Sequence, residues 1–285
     1  MKKMGLIPAT TLLFVVMAWV ATSAAVEKPI CTGPGDQRYP AISGDRIIWM
    51  EVHNGNWDIY LYNLATGEKT RVTTGLKGQR YPAISGNRVV WADVRNGNWD
   101  IYLYELSTGR EKPICTHPSF QTHPALWGDR IVWEDYRNGN ADIYMYDVST
   151  DKEMPICTNP HYQEDPAISG DRIVWMDFRN GNWDIYLYDL ATGTETPICT
   201  DPASQRYPGI SGDRIVWADP RNGTWDIYLY DLTTGIETQI TSGLNSQRYP
   251  AISGDRIVWE DYRNGNADIY MYDLSADKQI GAGPS

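Results

Sequence analysis

A tryptophan recurs every 42 residues along this 285-residue chain, at positions 49, 91, 133, 175, 217 and 259, each closing the motif Arg-Ile-Val-Trp or a close variant. A fixed period of this size constrains the fold strongly, because each repeat is one supersecondary unit that buries its apolar faces against its neighbours. Each unit reads as four short strands. In the fourth unit, Pro166–Ser169 precedes a Gly170-Asp171 turn, and Arg172–Asp177 is rich in β-branched and aromatic residues. Arg179-Asn-Gly-Asn182 is a hairpin loop, since Asn-Gly tolerates the positive φ that a tight hairpin needs. Asp184–Leu190 and Glu195–Thr200 complete the unit, and Pro197 suits an edge strand because it cannot donate to a ladder. Ile185 and Leu187 point to one side of the third strand, Tyr186 and Tyr188 to the other, so the sheet is sandwiched between neighbours. Four-stranded units of this length, buried on both faces, predict an all-β, six-bladed β-propeller with four antiparallel strands per blade.

The outermost-strand Ile or Val recurs at 30, 72, 114, 156, 198 and 240. The first of these lies in Glu27–Thr32, ahead of the first complete unit, and the last unit ends near Leu274 with only a short tail. The strand at 27–32 is therefore expected to complete the last blade and seal the ring, removing an open sheet edge. Residues 1–25 read as a signal peptide: Lys2 and Lys3, the apolar run Leu12–Ala21, then the small residues Thr22–Ala25. Residues 26–285 are then one propeller domain, with no room for a second. Residues 128–147 and 254–273 are identical. The residue after the core Trp runs Met50, Ala92, Glu134, Met176, Ala218, Glu260, which points to duplication of a three-blade block.

The unit Pro-Ala-Ile-Ser-Gly-Asp-Arg-Ile-Val-Trp, then Asp-Ile-Tyr-Leu-Tyr-Asp-Leu, Thr-Gly and Ile-Cys-Thr, resembles the TolB-type β-propeller repeat over residues 27–274. It is also similar to repeats in secreted and cell-surface proteins of archaea and bacteria. That resemblance implies mostly binding and scaffolding roles, and certain TolB-like lyases use a metal at the channel mouth. The Trp-Asp pairs at 57, 99, 183 and 225 open the third strand, unlike the eukaryotic WD repeat, where the pair ends it. The family's Ser-Pro-Asp-Gly turn is here Ser-Gly-Asp-Arg.

The formal charge is −11, and cleavage after Ala25 would remove two lysines and no acid, giving −13. An acidic surface excludes nucleic acid and anionic lipid as partners. The four cysteines, at 31, 115, 157 and 199, all hold the same position on the outermost strand. With strands ~4.8 Å apart, such equivalents in neighbouring blades lie about 20 Å from each other, beyond the ~7 Å Cα limit of a disulfide. They are expected to be buried free thiols. The Asp-x-Arg-Asn-Gly-Asn-x-Asp stretch at 177–184 has a superficial likeness to a calcium loop, but Arg179 would repel the ion, and an Arg–Asp-braced hairpin is the expectation.

The start of the innermost strand varies while the frame does not. The two residues before Pro are Arg38-Tyr39, Arg80-Tyr81, Thr122-His123, Glu164-Asp165, Arg206-Tyr207 and Arg248-Tyr249, each pair preceded by Gln. In a propeller these ring the channel mouth. Arg offers forked donors to carboxylate or phosphate, and Tyr stacks on sugars or rings. The expected ligand site is therefore Arg38, Tyr39, Arg80, Tyr81, His123, Glu164, Asp165, Arg206, Tyr207, Arg248 and Tyr249. No Gly-x-Ser-x-Gly elbow or phosphate-cradling loop is present. The expectation is a non-catalytic, monomeric binding module, secreted, periplasmic or on the cell surface, without a cofactor and not inserted in the membrane after signal cleavage. Its partner would be an envelope or extracellular protein, peptide or glycan. Two alternatives stay open: a metal-assisted lyase or glycosidase acting on acidic oligosaccharides with His123, Glu164 and Asp165 as metal candidates, and a structural surface-layer spacer. Calcium is the other candidate ion for an extracellular protein of this charge.

Overall fold

In the computed structural model the described residues are 30–31, 36–75, 77–263 and 268–275. Residues 1–32 and 33–285 form separate units. Of the first, only Ile30 and Cys31 are described, both half-buried. The expected signal peptide, most of the expected closing strand and the C-terminal tail lie outside the described residues.

Residues 37–273 form six antiparallel sheets that follow one another as the blades of a propeller. Blades 1 to 5 have four strands in sequential order, and the sixth shows three among the described residues. Blade 4 illustrates the pattern: Gln163–Ser169 innermost, then Arg172–Asp177, Asp184–Asp189 and, outermost, Thr194–Cys199. Glycines at positive φ turn the chain where the sequence demands it, Gly181 at 89° in the hairpin and Gly193 at 69° before the edge strand.

The second strand carries the core. Ile173, Val174 and Trp175 are fully buried, and the same triplet is buried in blades 2, 3 and 5. Trp175 pairs with Tyr186 on the third strand, their rings stacked at 6.2 Å. The indole Nε1–H donates to Asp177 at 3.0 Å. Arg179 then grips the same carboxylate at 2.9 and 2.5 Å, reaches Glu195 on the edge strand at 2.5 Å and lies over the Tyr186 ring at 4.1 Å. One buried acid thus ties together the core Trp, the hairpin Arg and the third-strand Tyr. The clasp recurs in blades 2, 3, 5 and 6. Blade 1 rebuilds it from other residues: Trp49 donates to Glu51 at 2.9 Å, and Lys69 takes the place of the hairpin Arg, 2.7 Å from Glu51 and over the Tyr60 ring. The calcium-like loop is this braced hairpin. Asn180 and Asn182 donate to Asp184 at 2.6 and 2.9 Å, and Asn182 also holds the Asp201 carbonyl.

The Ser-Gly-Asp-Arg turn joins neighbouring blades. Arg130 donates to Asp171 of the next blade at 2.6 Å, Arg214 to Asp255 at 2.6 Å, and Ser169 accepts from the Gly212 amide at 3.0 Å. Five such inter-blade stitches link blades 1 to 6. The facing sides of blades 6 and 1 differ. Ile42 is 64% exposed where Ile84 is 8%, and Val258 and Met271 are exposed where Val132 and Met145 are buried.

Cys115, Cys157 and Cys199 are buried free thiols, whereas Cys31, expected to be buried like them, is half-buried. Burial pushes each of these three thiols up to about 12. Thr73 and Thr241, which replace Cys, donate to Gln79 and Gln247 at 3.1 and 3.2 Å. In the Cys blades the matching Gln121, Gln163 and Gln205 Oε1 atoms are buried without a partner. Cys157→Thr should therefore stabilise the protein by about 0.5–1 kcal/mol, raising Tm by about 1–4 °C in a thermal melt. Cys115, Cys157 and Cys199 should resist iodoacetamide in the native protein at pH 8 and react once it is denatured, as read by mass spectrometry.

Candidate functional site at the channel mouth

The innermost strands do more than close the core. In every blade the pairing between the first and second strands slips by one residue just before Ala or Gly: Glu164 faces Met176 and Ala167 faces Val174, so Asp165 and Pro166 form a bulge. The residue before Pro sits in the left-handed region in all six blades: Tyr39 at φ 53°, Tyr81 54°, His123 46°, Asp165 51°, Tyr207 59° and Tyr249 53°. Non-glycine residues avoid this region, and each such conformation costs about 1–3 kcal/mol. A bulge re-aims a side chain. Here it turns six side chains, with their prolines, into one cavity of about 610 Å³. The preceding Gln anchors the bulge: Gln163 Nε2 donates to the His161 carbonyl at 2.6 Å, and the Gln163 backbone N–H donates to the Ala141 carbonyl of the previous blade at 2.7 Å.

Tyr39, Tyr81, His123, Glu164, Asp165, Arg206, Tyr207 and Tyr249 all line this cavity. Two aromatic stacks form its rim. Tyr39 meets Tyr81 edge-on at 5.0 Å and Tyr81 lies against His123 at 4.0 Å; Tyr207 and Tyr249 are 4.1 Å apart. Asp165 separates the stacks. Arg38, Arg80 and Arg248 are not part of the lining. Their guanidinium groups lie over Trp57, Trp99 and Trp225 at 5.7, 5.4 and 5.1 Å, and Arg206, which does reach the cavity, is 6.0 Å from Trp183. The four Trp-Asp tryptophans thus serve as platforms for the mouth arginines. His117 and His161 serve their loops: His117 Nδ1 accepts from the Ser119 amide at 3.2 Å, and His161 Nδ1 lies 3.2 Å from Asn159 Oδ1.

Glu134 is the functional residue that site reasoning from sequence missed. It follows the core Trp of blade 3, is only 2% exposed, and crosses to blade 4: its Oε1 accepts from the Asp165 amide at 2.8 Å. Its Oε2 lies 3.2 Å from His123 Nδ1 and accepts from the Tyr136 hydroxyl at 3.4 Å. The signal was the Met, Ala, Glu series after the core Trp, which places a buried acid beside the one blade pair lacking mouth tyrosines. At the equivalent place in the next blade, Met176 Sδ sits 3.3 Å from the Tyr207 amide.

Three carboxylates thus surround one imidazole. Burial, then the Glu134 and Asp165 charges, push Glu164 up to about 7; burial, then Glu134, push Asp165 up to about 6. Burial works against a charged His123, but the hydrogen bond and charge of Glu134, with Asp165 and Glu164, outweigh it and raise its pKa.

No protein-family model and no curated protein matches the sequence. Solved structures do match its fold. TolB from Acinetobacter baumannii superposes with a TM-score of 0.62 at 21% identity, over 78% of this chain and 58% of that one. A putative TolB from Agrobacterium tumefaciens gives 0.60 at 18% identity, over 86% and 92%. The fold is a TolB-like β-propeller. An oligogalacturonate lyase in complex with manganese shares this TolB-like architecture at 0.59 and 14% identity, over 81% and 72%. At these identities the likeness is one of fold, and the chain spans 58% of the length of the Acinetobacter protein.

The raised carboxyls set a pH dependence. Folded Glu164 and Asp165 keep protons that the unfolded chain releases from about pH 4 upward, so stability falls as pH rises from about 4 to about 7. His123, also raised when folded, adds a loss of the same sign as it deprotonates. In chelator-treated buffer, Glu164→Gln should shrink the Tm drop between pH 4.5 and 8 by about 2–4 °C relative to wild type. An unchanged drop would show that Glu164 titrates normally.

Proposed function

We propose that this protein is a non-catalytic, exported binding module whose channel mouth holds a peptide or glycan of an envelope or extracellular partner. One observation carries the reading. Six non-glycine residues are held in left-handed backbone by a repeated frame, converge on one 610 Å³ cavity, and differ chemically where that frame hardly varies. Strain maintained by the surrounding structure and aimed into a concavity is a mark of function. The rim suits a ligand with flat or CH-rich faces and polar groups: tyrosine faces stack, Arg206 offers donors, and the carboxylates accept. Export is supported by the Lys-led apolar leader in residues 1–25 and by the acidic composition.

The test joins Tyr81→Ala, Arg206→Ala and Tyr207→Ala in one variant and measures binding to immobilised envelope peptides and oligosaccharides. Loss of at least about tenfold, with an unchanged circular dichroism spectrum, is expected. Unchanged binding by the folded variant would remove the mouth as the site. A second reading, a lyase on acidic oligosaccharides, is favoured by one imidazole and two carboxyl groups sharing the cavity with Arg206. Release of unsaturated uronate products, followed by ultraviolet absorbance, would support it over the binding module.

A further inference from the structure

Glu134 is a buried carboxylate with no lysine or arginine partner among the described residues; the one cationic group within reach is the His123 imidazole, 3.2 Å away. The other buried acids of the second strands, Asp93, Asp135, Asp177, Asp219 and Asp261, each have an arginine within 2.6 Å or closer. Those that open the third strands, such as Asp142 and Asp184, are held by asparagine amides. Glu134 instead faces the Asp165 amide, the Tyr136 hydroxyl and the ring of His123, with Asp165 and Glu164 adding negative charge from the next blade. Burying three acids around one imidazole is costly unless positive charge is supplied. The Asp165 carboxylate, in addition, has no hydrogen-bond donor or ion-pair partner among the described residues.

Geometry matches this charge deficit. One ligand atom each from His123, Glu134 and Asp165 can be chosen so that all lie within 4.8 Å of one another. Ligands about 2.0–2.1 Å from a tetrahedral ion are spaced about 3.3 Å apart, so His123 Nδ1 and Glu134 Oε2, at 3.2 Å, already have the spacing. A small inward movement of Asp165 completes the set. We propose that His123, Glu134 and Asp165 form a binding site for one divalent transition-metal ion, Zn²⁺ or Mn²⁺, at the boundary of blades 3 and 4. One imidazole with two carboxylates is the donor set those ions accept. Remaining coordination positions open to the cavity, next to Glu164 and the rim tyrosines. The site follows from the two blades whose mouth residue is not tyrosine, and it holds whatever organic ligand the rim binds.

The repeat supplies variants that keep the frame. His123→Tyr and Asp165→Tyr each install the residue that four sister blades carry at the same left-handed position. Glu260→Gln removes the matching acid of blade 6, where Tyr262 donates to Glu260 at 3.0 Å and the mouth residue is Tyr249. The purified full chain is stripped with chelator and titrated calorimetrically with ZnCl₂ and, separately, MnCl₂. Expected is one ion per chain for at least one of the two metals, with a rise in Tm that chelator reverses. His123→Tyr and Asp165→Tyr should each weaken binding by at least about 100-fold while keeping the metal-free circular dichroism spectrum, and Glu260→Gln should leave it unchanged. Absence of binding by either ion, or binding that survives both tyrosine substitutions, would overturn the site.

Discussion

The clasp of tryptophan, aspartate, arginine and tyrosine is what the rest of the molecule depends on. A fully buried Trp with an indole N–H needs an acceptor. The acceptor is an acid, and a buried acid needs a cation. The hairpin arginine supplies it, and its planar group then covers the third-strand tyrosine. Each requirement follows from the one before, so the four residues repeat together. Blade 1 shows the chemistry rather than the residue types to be what matters: Glu51 and Lys69 rebuild the clasp where the Asp and Arg are absent. With the second and third strands locked and the turn arginines of blades 1 to 5 stitched to the next blade, the innermost strands are held from outside.

That support lets the mouth carry strain. Six residues sit at φ of 46–59° regardless of whether they are Tyr, His or Asp, so the bulge is imposed by the frame and not by the residue. A frame of this kind tolerates exchange of the side chain it presents. Blades 3 and 4 use the freedom to place an imidazole and a carboxylate where their sisters place phenols, and the buried Glu134 of blade 3 bridges the two.

Much of this was legible in the residues. The 42-residue period, the Asn-Gly hairpins and strands apolar on both faces specify blades, because only stacking between neighbours buries both faces. The equivalence of Cys115, Cys157 and Cys199 within the repeat was enough to place them on the edge strands of three different blades. The mouth positions could be named because position within a repeat is position within the ring. The direction of the arginines could not: whether Arg80 and Arg248 enter the channel or lie over a tryptophan depends on which aromatic surface is nearest, and that is set by hairpins 20 or so residues away in sequence. The roles of Ser43 and its equivalents, which accept from the next blade's glycine amide, were equally invisible.

By itself the sequence determined the number of blades, the strands within each, the core and the ring of variable residues, since all of these follow from local pattern multiplied by a fixed period. Only the tertiary structure decided which of those variable residues meet. Glu134 is separated from Asp165 by 31 residues yet accepts its amide hydrogen at 2.8 Å. The contact exists because the acid of one blade reaches across the interface to the next, and the left-handed bulge turns that amide toward it. Periodicity places residues in a blade; the charge balance between blades depends on side-chain reach across the packed interface, which no repeat pattern encodes.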